Sequence, residues 1–127
     1  MEKLTIFWFR RDLRIHDNRG FYEALNGSNR VIPIFIYDTE ITDKLKKEDP
    51  RLTFIEKALG GINNAMKRNR CTTGIYRGTP KAIFKKLIRE FTVQNVIANH
   101  DYEPYALQRD EEIRNLLKVE GIHFTTF

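Results

Sequence analysis

Phe7 to Asn18 reads FWFRRDLRIHDN, and Leu4-Thr5-Ile6 precedes it. The apolar run from Leu4 to Phe9 stops at Arg10, and Arg10, Arg11, Asp12, Arg14 and Asp17 follow within eight residues. Five apolar residues in six, broken only by Thr5, predict a strand buried on both faces, as in parallel sheets. Charge gathered directly after it predicts a loop at the strand's carboxyl end, where open α/β sheets place their ligands. A charged surface turn following a core strand fits the same residues.

Outward from this stretch, strand and helix patterns alternate. Asn18–Asn26 reads as a short helix with Phe21, Ala24 and Leu25 on one side and Gly27 as its stop. Val31–Tyr37 is a second apolar strand, in which Pro33 lacks an amide donor and must relax the pairing locally. Asp38–Asp49 is a polar connection. Leu52, Ile55, Leu59, Ile62 and Met66 recur at helical spacing within Pro50–Asn69, with Gly60-Gly61 as a weak point. Thr73–Tyr76 is a third strand. Thr79 and Pro80 supply an N-cap and a first-turn proline to a helix ending near Phe91. Asn95–Asn99 is a fourth strand, Tyr105–Glu120 a helix stopped by Gly121, and Ile122–Phe127 the start of a fifth strand. The pattern predicts one α/β domain over residues 1–127. Its sheet is five-stranded, parallel and doubly wound, in the order 3-2-1-4-5, with helices on both faces. The apolar, strand-like ending IHFTTF is that expected of the amino-terminal piece of a longer chain.

Composition sets further bounds. Of the 127 residues 41% are hydrophobic and 31% charged, which describes a globular chain and not a disordered one. No run of about 18 apolar residues exists to span a bilayer. The start MEKLTIFWFRR has no secretory leader pattern, and one cysteine, Cys71, forms no internal disulfide; both fit a reducing, cytoplasmic setting. The net charge is +5, with basic residues grouped in Lys44–Arg51, Lys67–Arg70 and Lys81–Arg89. A nucleic-acid surface and the solvated side of amphipathic helices both accommodate them.

The strand order predicts which loops meet. The first and fourth strands flank the switch point, so their carboxyl ends should face each other across a crevice. Arg11 follows strand one, Asp38 follows strand two, and Asp101 and Glu103 follow strand four. Pro104 restricts Glu103 to an extended conformation. Carboxylates accept from ring N–H or ribityl O–H groups and a guanidinium donates to carbonyls, so such a cluster suits a flat polar heterocycle. A structural ion-pair network at a loop junction is the other reading. Other chemistries lack their residues. No G-x-G-x-x-G follows strand one, no phosphate loop exists, and Gly74–Gly78 holds only two lone glycines. His16, His100 and His123 share no metal-ligand spacing, and no serine or cysteine sits in a nucleophile motif. No catalytic residue and no metal site are assigned.

FWFRRDLRIHDN resembles the opening signature of the DNA photolyase/cryptochrome family. RLTFIEKAL (Arg51–Leu59), RGTP (Arg77–Pro80) and NHDYEPYALQRD (Asn99–Asp110) resemble later family segments in the same order. The resemblance implies an amino-terminal antenna domain that collects light. Its implied partners are the protein's own carboxyl-terminal helical domain, which carries catalytic FAD, and damaged DNA bound through that domain. There the pyrimidine dimer is flipped out of the duplex and split by an electron from photoexcited reduced flavin. The implied function is that of a deoxyribodipyrimidine photolyase, a carbon–carbon lyase; this segment alone is expected to be inactive. A cryptochrome-type blue-light sensor and a free-standing nucleotide-binding domain are the alternatives. Family antennas of the folate type use a His before the long helix and an Asn-Glu pair, where this chain has Lys46 and Tyr105-Ala106. The flavin or deazaflavin type uses positions matching Arg11, Asp38, Asp101 and Glu103, so a flavin-like antenna is expected over a folate. Burying a ring system of about 150–250 Å² gives roughly 4–6 kcal/mol gross, and association costs are similar. The isolated segment is therefore expected to carry no chromophore.

Overall fold

The computed structural model describes residues 2–67 and 72–127. Cys71, most of the Lys67–Arg70 basic group and the expected end of the long helix at Asn69 lie outside the described residues. Five strands form one sheet: β1 (Leu4–Phe9), β2 (Arg30–Asp38), β3 (Gly74–Gly78), β4 (Val93–Ala98) and β5 (His123–Thr126). The order is β3-β2-β1-β4-β5 and every pairing is parallel, as the alternation predicted. The helices are α1 (Arg19–Leu25), α2 (Thr39–Thr42), α3 (Pro50–Met66), α4 (Pro80–Glu90) and α5 (Pro104–Val119).

The two-residue period of β1 divides the core. Ile6 and Trp8 point to one face and pack with Phe84, Leu87, Ile113 and Leu117 of α4 and α5. Phe7 and Phe9 point to the other and pack with Phe21, Ala24, Leu59 and Ile62 of α1 and α3. All six β1 residues are buried, because helices cover both faces. Lys81, Lys85, Lys86 and Arg89 are exposed on the polar side of α4.

Several local expectations shift. β2 pairs with β1 through Pro33 without a break, and β3 joins only from Ile34, so the proline has one strand neighbour instead of two. The polar connection after β2 contains α2, one helical turn whose first free amide, Glu40 N–H, donates to the Asp38 carboxylate. Leu25 is exposed, and α1 buries only Gly20, Phe21 and Ala24 because it is too short to turn a wider face inward. Phe91 caps α4 and is half-exposed.

Two glycines with opposite surroundings make a direct comparison. A methyl at Gly20 would lie 2.7 Å from Asn99 Oδ1 and 3.0 Å from the Phe7 ring, because the start of α1 closes directly onto β1 and the β4 end. A methyl at Gly60, inside α3, would meet nothing within 4 Å. Gly20→Ala is expected to destabilise by about 1–3 kcal/mol through overpacking. Gly60→Ala is expected to stabilise by about 0.5–1 kcal/mol by restricting the unfolded chain. Urea midpoints at constant slope measure both.

Candidate functional site at the carboxyl edge of the sheet

The gap between β1 and β4 is filled by polar side chains. Arg10 leaves β1 in phase with Ile6 and Trp8, so it turns toward α5. Its guanidinium donates to the Asp110 carboxylate and to the Asn99 carbonyl. Arg10 is 8% exposed and Asp110 3%. Burial pulls the Arg10 guanidinium below its ordinary range, and Asp110 opposes that pull. The Asn99 side chain donates to Asp12 and, at 2.6 Å, to Asn18, and accepts the Gly20 N–H at 2.7 Å. Asn18 in turn caps α1 by accepting the Phe21 N–H at 3.0 Å. This network ties the turn after β1 to the end of β4 and the start of α1.

The expected crevice between strands one and four is therefore closed, and the cavity opens one strand over. Its volume is about 590 Å³, within the range of small-molecule pockets. It lies at the carboxyl ends of β1 and β2, against α2 and the first turns of α3. Trp8, Phe35, Ile41 and Ile55 give it apolar walls, and Asp38, Arg11, Arg51 and Arg109 supply polar edges. The N-terminal half of α3 leaves room for it: Leu52 and Ile55 are only half-buried and Phe54 is 66% exposed, whereas Leu59, Ile62 and Met66 further along are buried. A second hollow of about 570 Å³ between α1 and α3 touches none of the strand ends.

Three of the four sequence-predicted site residues meet. Arg11 Nε stands 3.7 Å from Asp101 Oδ2, and Arg11 Nη2 stands 3.6 Å from Glu103 Oε1. Glu103 is extended ahead of Pro104 and makes no cap bond with its side chain, which leaves the carboxylate to Arg11. Asp38 stands apart from them. One of its oxygens caps α2, and the other accepts the Tyr105 hydroxyl at 2.6 Å. Tyr105 also donates to Glu40 at 3.0 Å. Burial first, then these two carboxylates, push the Tyr105 phenol far above its ordinary range, so it stays a neutral donor. Asp38 and Arg11 line the cavity; Asp101 and Glu103 hold Arg11 from outside it.

Arg109 completes the wall. Its guanidinium lies over the Trp8 ring at 5.0 Å and the Tyr105 ring at 5.9 Å, and its Nε donates to Asp110 at 3.3 Å. Its Nη2 is buried without a hydrogen-bond partner. Arg10, Asn99, Arg109 and Asp110 lie in the segments that resemble the family but were given no site role from sequence, although the period of β1 carried the signal for Arg10. Among the described residues no group of three His, Cys, Asp or Glu side chains could hold a metal ion. Among the described residues no helix is long and apolar enough to cross a membrane.

At the rim, Asp49 caps α3 and grips Arg51, with Arg51 Nε at 3.0 Å and Nη2 at 2.7 Å. The Arg51 side chain, then its backbone N–H, hold the Asp49 carboxyl down to about 2. A carboxylate lowered on folding contributes stability that is complete above its unfolded value near 4 and fades as pH falls toward 2. Asp49→Asn is therefore expected to lower the melting temperature slightly at pH 7. The gap to the parent should narrow as pH falls below 4 and close only below pH 2; an equal gap at pH 7 and at that acid limit contradicts the assignment.

The sequence model of the DNA photolyase family matches residues 5–127. Cryptochrome-2 of Gallus gallus is 30% identical over 118 residues, covering 93% of this chain and 20% of that protein. The chain thus spans about a fifth of the length of the curated relatives it matches. Among solved structures, an archaeal photolyase from Sulfolobus tokodaii superposes with a TM-score of 0.84 at 28% identity, over 98% of this chain and 29% of the other. That structure holds two FAD molecules and implies a novel light-harvesting cofactor. A cryptochrome from a Synechocystis species shares the fold, with a TM-score of 0.87 at 17% identity, over 98% of this chain and 27% of the other. Matched along nearly its whole length, with the strand order and helix placement of these structures, the chain belongs to the DNA photolyase family.

Proposed function

We propose that this chain is the amino-terminal antenna domain of a deoxyribodipyrimidine photolyase, and that the cavity between the ends of β1 and β2 holds a flavin-like light-harvesting chromophore. The observation that carries the reading is that cavity, with apolar walls and a few polar groups at the carboxyl edge of the sheet, in a member of this family. The residues fit such a group. Trp8, Phe35 and Ile55 offer apolar contact, and Arg109, whose buried Nη2 lacks a partner, becomes a donor for a ring carbonyl once its side chain turns toward the cavity. Arg11, Asp38, Asp101 and Glu103 remain the proposed antenna residues, with distinct tasks. Arg11 and Asp38 border the ring site, Asp101 and Glu103 orient Arg11, and Tyr105 fixes Asp38. Tyr105 occupies the position of the Asn-Glu pair of folate antennas, so a folate is disfavoured. When bound, the chromophore absorbs light and passes the excitation to FAD in the helical domain. Repair chemistry belongs to that domain and to the damaged DNA it binds. The likeness to the archaeal photolyase, with its second FAD and implied light-harvesting cofactor, supports this reading.

The likeness to Gallus gallus Cryptochrome-2 favours a second reading, a blue-light sensor built on the same domain. The full-length gene product decides between them. Under blue light it is expected to restore the intact bases of a thymine-dimer oligonucleotide. Flavin photoreduction without repair would support the sensor instead.

A further inference from the structure

Four guanidinium groups border the cavity, a composition that at first sight suits a phosphorylated ligand. Their partners argue otherwise. Arg11 and Arg51, the two exposed arginines at the rim, stand beside three carboxylates: Asp101 and Glu103 next to Arg11, and Asp49 next to Arg51. Two positive charges thus meet three negative ones. Arg109, deeper in the wall, shares Asp110 with Arg10. The first turn of α3 also borders the cavity, and its free amides would ordinarily attract an anion. Asp49 already occupies that place, accepting the Arg51 N–H at 2.9 Å. Its carboxyl is held down to about 2, so it stays ionised throughout the working pH range.

We infer that this cavity recognises an uncharged ring system, a flavin or deazaflavin nucleus, and gives no binding advantage to a phosphate on its tail. The inference rests on the proposed chromophore site and sharpens it. Selection comes from the ring, through the apolar walls and the Arg109 donor. At the rim two arginines stand beside three carboxylates, so the local charge gives a phosphate no net attraction.

Riboflavin and FMN carry the same ring and differ only in the phosphate, so titrating the FAD-loaded full-length protein with each, followed by the fluorescence of the added flavin, isolates the effect. The expected dissociation constants agree within about threefold, and their ratio is unmoved as ionic strength rises from about 0.05 to about 0.5 M. Asp49→Asn keeps an N-cap acceptor for α3 but releases the Arg51 charge. In that variant FMN is expected to bind about tenfold tighter than riboflavin, an advantage that disappears at high salt. Arg51→Gln works in the opposite direction, leaving Asp49 unpaired and weakening FMN relative to riboflavin by about threefold or more. A tenfold FMN preference in the parent overturns the inference, as does an unchanged ratio in both variants. Riboflavin binding accompanied by that preference leaves the chromophore site standing; failure of both ligands to bind overturns the site and the inference together.

Discussion

Arg10→Met is expected to cost about 3–5 kcal/mol, the usual penalty for removing one partner of a buried ion pair. Arg10 and Asp110 are almost without solvent, and the Arg10 guanidinium satisfies both the Asp110 carboxylate and the Asn99 carbonyl. Methionine refills the aliphatic volume, leaves the Asn99 carbonyl without this donor and leaves Asp110 with Arg109 alone. Arg109 Nε, at 3.3 Å from the same Asp110 oxygen, still pairs with the carboxylate but supplies no donor to the Asn99 carbonyl. In the double variant Arg10→Met with Asp110→Leu, Arg109 loses the carboxylate it shares with Arg10, so only part of the loss is expected to be recovered. Urea unfolding of the two single variants and the double variant measures the coupling. Additive losses would mean that the pair acts as two independent groups.

Phe84→Ala is expected to cost a similar amount, about 3–5 kcal/mol, for a fully buried ring. Phe84 is 0% exposed and meets Trp8 edge to face, with centroids 5.0 Å apart. Trp8 also forms part of the cavity wall, so the hole left under its far side loosens the ring against which the proposed chromophore would lie. As Trp8 is the sole tryptophan, its emission reports the site without interference. The expected signature is a red-shifted tryptophan spectrum together with a lower urea midpoint. A lower midpoint with unchanged emission would mean that the cavity is insulated from that half of the core.

The sheet was legible because its signal is local and repetitive. The mostly apolar segment Leu4–Phe9 gave both the limits of β1 and its central position, and strand–helix alternation gave the parallel order. The meeting of Arg11 with Asp101 and Glu103 followed from that order. The position of the cavity did not. Which gap at the sheet edge stays open depends on which side chains fill the others, and Arg10 and Asp110 are 100 positions apart. Nothing in local spacing shows that Asn99 will bind Asp12, Asn18 and Gly20 at once. Tyr105 was noticed only as a departure from the folate pattern, because its bond to Asp38 joins α5 to the end of β2 across 67 residues. The half-turned α3, with Phe54 exposed beside the cavity, was hidden for a related reason: helical periodicity marks an apolar stripe but not how closely each turn approaches the sheet.

The central place of β1 has a cost during synthesis. The strand that covers its second edge, Val93–Ala98, leaves the ribosome on the order of 90 residues later, which at roughly 5–20 residues per second is about 4–18 s. For that interval the most apolar segment of the nascent chain presents unpaired amides and carbonyls along one side, the geometry that recruits other chains. Until β4 arrives, that edge is where a neighbouring nascent chain would most readily zip on.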